Sequence, residues 1–333
     1  MTNPTEITAE ETKLYDRQIR LWGMDAQKKL RSTRVLVVGL NGLSSEILKN
    51  VCLAGVASLT IADPAPVSRA DLDDSSQFLI PRNDATIGTN KALACIDALR
   101  KLNPRVVVSA VAKDLLAGDS LDEAFFQDFD AVCLVGAPLS KAILVDELCI
   151  RCGIKFWYGH VSGLYGFFFS DLGEYTYIQE NQTLAQGKED VQKSKTVEMG
   201  ISYPSLAQAL KSITGWNKLS ARKLKRVASP SLFAFLAVLQ YESENNGPPK
   251  SAEDVAPLLQ KMLLAKEIPE SLVGQDVLSE IINSLGVDLS AVCAVLGGIL
   301  GQEIIKVASG KDMPVNNFLS FDGNDVKATV ISM

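Results

Sequence analysis

The sequence predicts an α/β fold: a doubly wound, Rossmann-like and mostly parallel sheet with an inserted, mainly helical region. Three observations predict it. Short apolar or β-branched runs (Val35–Val38, Leu59–Ala62, Ala131–Val135) alternate with segments of helical spacing, the signature of a parallel sheet with covered faces. The first run enters a glycine turn, GLNG, directly followed by a helical pattern, which is how a βαβ unit opens. The C-terminal end, NNFLSFDG then VKATVISM, returns to strand patterns after a long helical stretch.

Taken in order, YDRQIRLWG has Tyr15, Ile19 and Trp22 at i, i+4, i+7 and predicts an amphipathic helix. Val35–Val38 is the first strand, Leu43–Leu53 a helix and Leu59–Ala62 the second strand. NKALACIDALRKL predicts one helix, VVVSAVA a strand, Leu121–Phe126 an acidic helix, and Ala131–Val135 a buried strand. A helix over Ser140–Cys152 leads to the apolar run Lys155–Tyr158. GFFFSDLGEYTYI then predicts an antiparallel ribbon, and the polar segment ENQTLAQGKEDVQKSKTVEMG a mobile loop. From Ser205 to Leu285 the patterns are mostly helical, and Leu289–Val307 is a strongly apolar helix. The two closing strands are best buried by joining the first sheet. The expected organisation is one discontinuous domain, 1–178 and 287–333, with residues 179–286 inserted and a loop near 180–200.

Composition narrows the function classes. Among 333 residues, 47% are hydrophobic and 22% charged, which excludes wholesale disorder and fibrous folds. The net charge of −6 opposes a surface built to track phosphate backbones, so nucleic acid is not an expected partner. The polar, acidic start MTNPTEITAEETK has neither a secretory nor a transit pattern, which predicts the cytosol or nucleus. Apolar runs such as AVCAVLGGIL stop short of the roughly 20 residues that span a bilayer, so no membrane partner is expected. Six cysteines, most within apolar stretches, fit buried thiols in a reducing compartment.

Several motifs are candidates for chemistry. Gly39 and Gly42 stand where a phosphate-binding loop has glycines, but Asn41 and Ser44 replace two others, and Asp63 ends the next strand where a ribose-binding acid is found. That set fits either a nucleotide site or a purely architectural turn. Arg17 has no acid at helical spacing, whereas Arg20 can pair with Asp16, so Arg17 is free to meet an anion or to remain solvated. Cys149 and Cys152 form a C-x-x-C without a second ligand pair and close a helix rather than open one, unlike a zinc or redox motif. His160, the single histidine, has no recognisable nucleophile partner. RKLKR (Arg222–Arg226) fits a nuclear import signal, an acid-binding patch or a solvated helix face. Gly297 and Gly301 predict close packing of their helix on a neighbour.

The blocks YDRQIRLWGMDAQKKLRSTRVLVVGL, GLSSEILKNVCLAGVASLTIAD, DAVCL, GHVSGLYGFFFSDLGE and AVCAVLGGILGQEIIK, followed by NNFLSFDG, strongly resemble the eukaryotic enzymes that activate ubiquitin-like proteins. Within them, the short length and the tail favour the small-subunit family of the SUMO-activating enzymes. The resemblance implies a MoeB/ThiF-like adenylation fold, the inactive half of a pseudo-symmetric heterodimer. It places ATP, magnesium and the acceptor cysteine on a large catalytic subunit, with SUMO engaged through the complex, in the nucleus and also the cytoplasm. It further implies that Arg17 reaches the partner's nucleotide phosphates.

Compared with the active adenylation pattern, this chain keeps Asp63 but has Ala65 at the second acid, and Gly136 and Ala137 where a magnesium-binding aspartate and its neighbour are expected. SSQFLI lacks the family's asparagine and arginine, and Lys91 matches a phosphate-reaching lysine. The expectation is therefore a degenerate pocket (Gly39, Asn41, Gly42, Asp63, Gly136), no cofactor or metal of its own, and no catalysis by the chain alone. A self-contained MoeB-type adenylating enzyme and an NAD-dependent oxidoreductase are the alternatives.

Overall fold

A computed structural model describes residues 7–118, 120–181, 195–212 and 228–333. Three short helices, α1 (Ala9–Leu14), α2 (Asp16–Trp22) and α3 (Met24–Leu30), precede β1 (Arg34–Val38), α4 (Gly42–Ala54) and β2 (Ser58–Ala62). Next come α5 (Arg69–Asp73), α6 (Lys91–Ala94), α7 (Ile96–Leu102), β3 (Val107–Val111), α8 (Glu123–Phe126), β4 (Ala131–Val135), α9 (Leu139–Cys152) and β5 (Lys155–Ser162). The chain continues through β6 (Tyr165–Asp171), β7 (Glu174–Asn181), β8 (Lys195–Ser202) and α10 (Leu206–Lys211). It closes with α11 (Pro230–Asn245), α12 (Ala252–Ala265), α13 (Gln275–Asn283), α14 (Ser290–Ser309), β9 (Phe318–Asp322) and β10 (Lys327–Ile331).

Eight strands form one sheet in the order β10-β9-β6-β5-β4-β1-β2-β3. The five from β5 to β3 are parallel, and β6, β9 and β10 extend the sheet antiparallel. The C-terminal strand pair thus joins the main sheet, where its apolar residues find cover. Side chains alternate between two cores: Val35 and Val37 of β1 face α3, α4, α7 and α14, whereas Leu36 and Val38 face α9 and the helices α10 to α13. The helical region is therefore one of the two layers that cover the sheet. The first part of its α11 is apolar on all sides, with Leu232 to Leu239 buried, as a helix segment enclosed by others must be, whereas its last turns, from Gln240 to Asn245, are polar and reach the surface.

Helix α14 packs along α4 because Gly297 and Gly301 let the backbones close up. A Cβ at these positions would stand 2.6 Å from the Cβ of Glu46 and 2.8 Å from that of Asn50. With 20 residues and a mean hydropathy of 1.6, α14 is long and apolar enough to cross a membrane, longer than its apolar run suggested. Its inward face, including Val292, Leu296, Leu300 and Ile304, is buried in the core beside α4.

Three expectations need correction. NKALACIDALRKL is broken at Cys95 into α6 and α7. GFFFSDLGEYTYI contains two strands that do not pair: β6 lies between β5 and β9, while β7 pairs with β8. The reason is the run Phe167–Phe169, buried on both faces, which only an interior strand can accommodate. Of the expected loop, residues 195–200 belong to β8, and 182–194 lie outside the described residues, as does RKLKR.

Candidate functional site

The switch point of a doubly wound sheet, where connections leave in opposite directions, lies here between β1 and β4. The structure brings Gly39, Asn41, Gly42, Asp63 and Gly136 together there, and fills the place with the chain's own groups. Gly39 (φ +91°) passes so close to β4 that an added Cβ would lie 2.2 Å from the Val135 carbonyl oxygen. Gly136 (φ +69°) follows β4, and the Asn41 amide stands 3.5 Å from where its Cβ would be. An aspartate at Gly136 would need a left-handed backbone that side-chain-bearing residues rarely adopt.

Several polar groups of a nucleotide site are already engaged. Asp63 accepts the Leu40 amide at 2.7 Å with one carboxylate oxygen and the Ala65 amide at 2.8 Å with the other, so it braces the turn. Asn41 caps α4: its side chain accepts the Ser44 amide at 3.0 Å, and Ser44 Oγ accepts the Asn41 amide at 2.8 Å. The Gly42 amide, the helix-start donor best placed for an anion, donates to the Asp288 carboxylate at 2.7 Å. Gly42 also faces Ser76, whose Oγ would be 2.2 Å from an added Cβ. Lys91 donates to Asp71 at 2.6 Å. Burial alone would raise the Asp71 carboxyl, but Lys91, Ser68 and Gln77 offset this and hold it at about 2.

The space left beside the turn is a cavity of about 200 Å³ lined by Gly39, Pro64, Lys113, Leu116 and Gly136. That is below the roughly 300–1,000 Å³ of sites for drug-sized ligands. A larger cavity of about 480 Å³ opens at the other end of the strands beside Arg34, Asp130 and Lys155, and none of the expected pocket residues lines it. The residues present at the switch point do not fit a nucleoside triphosphate.

Asp288 makes a testable contribution. Burial and the nearby Asp74 charge push its carboxyl up to about 6, against the Gly42 amide and Lys91. A carboxyl raised above its unfolded value of about 4 costs stability progressively as pH rises from about 4 through its folded pKa. Asp288→Asn keeps an acceptor for Gly42 but does not ionise. Relative to the wild type, its thermal stability should rise between pH 4 and 6 and then stay constant; an offset independent of pH would contradict this.

His160 is a core aromatic. Its Nε2 donates to the Ala137 carbonyl at 3.0 Å, and its ring stacks on Phe167 and meets Tyr158 and Phe235 edge-on. Burial lowers its pKa to about 4, so it is neutral at pH 7. Cys149 and Cys152 end α9 as free thiols. Burial pushes Cys52 up to about 11 and Cys95 and Cys133 to about 12, and raises Cys149 and Cys293 further, which leaves little thiolate at neutral pH.

Arg17 lies apart from this filled pocket, exposed on α2. Arg20 pairs with Asp16 at 3.0 Å, whereas Arg17 makes no hydrogen bond or ion pair among the described residues. Around it are exposed leucines: Leu14 at 58%, Leu21 at 72%, and Leu53 at 45%, the last tied to α2 by the Gln18 side-chain amide at 3.3 Å. Asp288 escaped the sequence reading because it stands 246 residues from Gly42 and no local pattern joins them.

The ThiF family model matches residues 15–333. The chain is 39% identical to SUMO-activating enzyme subunit 1 of Danio rerio over 339 residues, covering 96% of this chain and 94% of that protein. Against the proteins of the same name from Rattus norvegicus and Homo sapiens, identity is 37% and 36% over 335 residues, covering 95% of this chain and 93% of each relative. A filled switch point and a bare arginine thus sit on a chain whose length aligns almost completely with these relatives, and the chain belongs to the ThiF family, in the branch formed by SUMO-activating enzyme subunit 1.

Proposed function

We propose that this chain is the noncatalytic small subunit of a SUMO-activating enzyme. It pairs with a large catalytic subunit that binds ATP and magnesium, adenylates the C-terminus of SUMO and takes SUMO as a thioester. The observation that carries this reading is the Asp288 carboxylate on the Gly42 amide: the fold's own anion position is occupied from within. The buried, high-pKa cysteines support an acceptor thiol on the partner. The exposed leucines around Arg17 support association through that face, because apolar surface rimmed by charge marks interaction sites. Arg17 would place a planar, permanently charged fork near the partner's nucleotide. The compartment this reading implies is the nucleus, with a cytoplasmic pool. An NAD-dependent oxidoreductase is not favoured, since Asp63 commits both oxygens to backbone amides.

Mixing the chain with the large subunit, ATP, magnesium and SUMO should give a thiol-reducible SUMO adduct on the large subunit only. Replacing Cys149 and Cys152 by serine should leave its yield unchanged. A reducible adduct on this chain, lost in either variant, would overturn the assignment.

A further inference from the structure

We propose that Glu11, with Tyr15, positions Arg17 and so sets the productive geometry of the arginine; the proposal rests on the reading of Arg17 given above. Helix α2 has seven residues, too short to hold its place by its own hydrogen bonds. Its direction is fixed by what anchors the chain immediately before it. Glu11, 4% exposed, is held between two arginines from different parts of the fold, Arg31 at 3.2 Å and Arg105 at 3.8 Å. Four residues on, the Tyr15 hydroxyl accepts from the Asn103 side-chain amide at 2.9 Å. The ring packs against Gly55, where a Cβ would come within 2.5 Å of the hydroxyl oxygen.

The two anchors are one assembly. Asn103 Nδ2 also donates to the Cys52 carbonyl at 2.9 Å, and Asn103 Oδ1 accepts the Arg105 amide at 3.2 Å. The turn at 103–105 therefore grips Glu11 through Arg105 and Tyr15 through Asn103, and ties both to the end of α4. Glu11, Tyr15, Arg31, Gly55 and Arg105 surround a cavity of about 210 Å³. Arg17 begins two residues after Tyr15, so a change in this clamp swings α2 and displaces the guanidinium. Misplacing a reacting or stabilising group by about 1 Å costs up to roughly 100-fold in rate.

Glu11→Gln separates this role from simple capping. Glu11 is the third residue of α1 and its Oε2 accepts the Thr8 amide at 2.9 Å, a bond glutamine preserves while the ion pairs are lost. Tyr15→Phe is the second variant, removing only the hydroxyl. The experiment is single-turnover SUMO adenylation by the assembled heterodimer at saturating ATP, for wild type, Glu11→Gln, Tyr15→Phe, Arg17→Ala and both double variants with Arg17→Ala. We expect each clamp variant to slow the step about tenfold, and each double variant to be no slower than Arg17→Ala alone, because coupled residues are not additive. A clamp variant at the wild-type rate, or double variants showing the full product of the single effects, would overturn the positioning role while leaving the function reading intact. An Arg17→Ala heterodimer at the wild-type rate would overturn the Arg17 reading itself.

Discussion

Arg17→Ala, assembled with the large subunit, should slow single-turnover SUMO adenylation roughly 100- to 1,000-fold, the usual cost of deleting one preorganised donor to developing charge. Heterodimer formation by gel filtration should be unchanged. The isolated chain should lose almost nothing, since Arg17 is exposed and makes no hydrogen bond or ion pair among the described residues, and such surface substitutions stay within about 0.5 kcal/mol. Arg17→Lys should recover only part of the rate, because it keeps the charge and loses the two-pronged donor. Arg20→Ala should act differently. Its loss is an exposed i, i+4 pair with Asp16, worth about 0.3–0.5 kcal/mol of helix stability and little rate.

Gly39→Ala should be strongly destabilising. The new Cβ would lie 2.2 Å from a backbone oxygen of β4, in a residue whose φ of +91° already disfavours side chains. Neither the strand nor the carbonyl can move without breaking the β1–β4 ladder, so a loss of about 3 kcal/mol or more is expected. Gly136→Ala is the control: its φ is +69° but its nearest neighbour is a side-chain amide at 3.5 Å, so only the left-handed penalty of about 1–2 kcal/mol applies. Urea unfolding of the two variants measures the difference, and equal losses would contradict the close-approach account. On this view Gly39 is retained by the geometry of the switch point, with or without a phosphate.

How far the molecule was legible in its sequence follows the range of each interaction. β1, α4, β2 and β4 were recovered to within a residue or two because apolar period, a capping turn and strand length are local. The need to bury the closing strands β9 and β10 places them in the main sheet, where β9 pairs with β6 and β10 with β9. The partner of β7 was not legible, since β8 lay in a segment too polar to signal a strand. At the site, Asn41 and Gly136 depart from the active adenylation pattern in the sequence, but the groups that meet around them come from distant segments. Asp288 meets Gly42, and Lys91 meets Asp71, through the tertiary fold alone. The same holds for Glu11, whose Thr8-x-x-Glu11 spacing signals a helix cap while its clamp by Arg31 and Arg105 requires the folded chain.

With Asp63, Asp288 and Asn41 occupying the turn after β1, the chain should depend on a second subunit for nucleotide chemistry. ATP–pyrophosphate exchange with SUMO, run on the purified chain, on the large subunit and on the two together, measures this dependence. No exchange is expected from the chain alone, and SUMO-dependent exchange is expected once the large subunit is added. SUMO-dependent exchange by the chain alone, in preparations shown by mass spectrometry to be free of the large subunit, would contradict it.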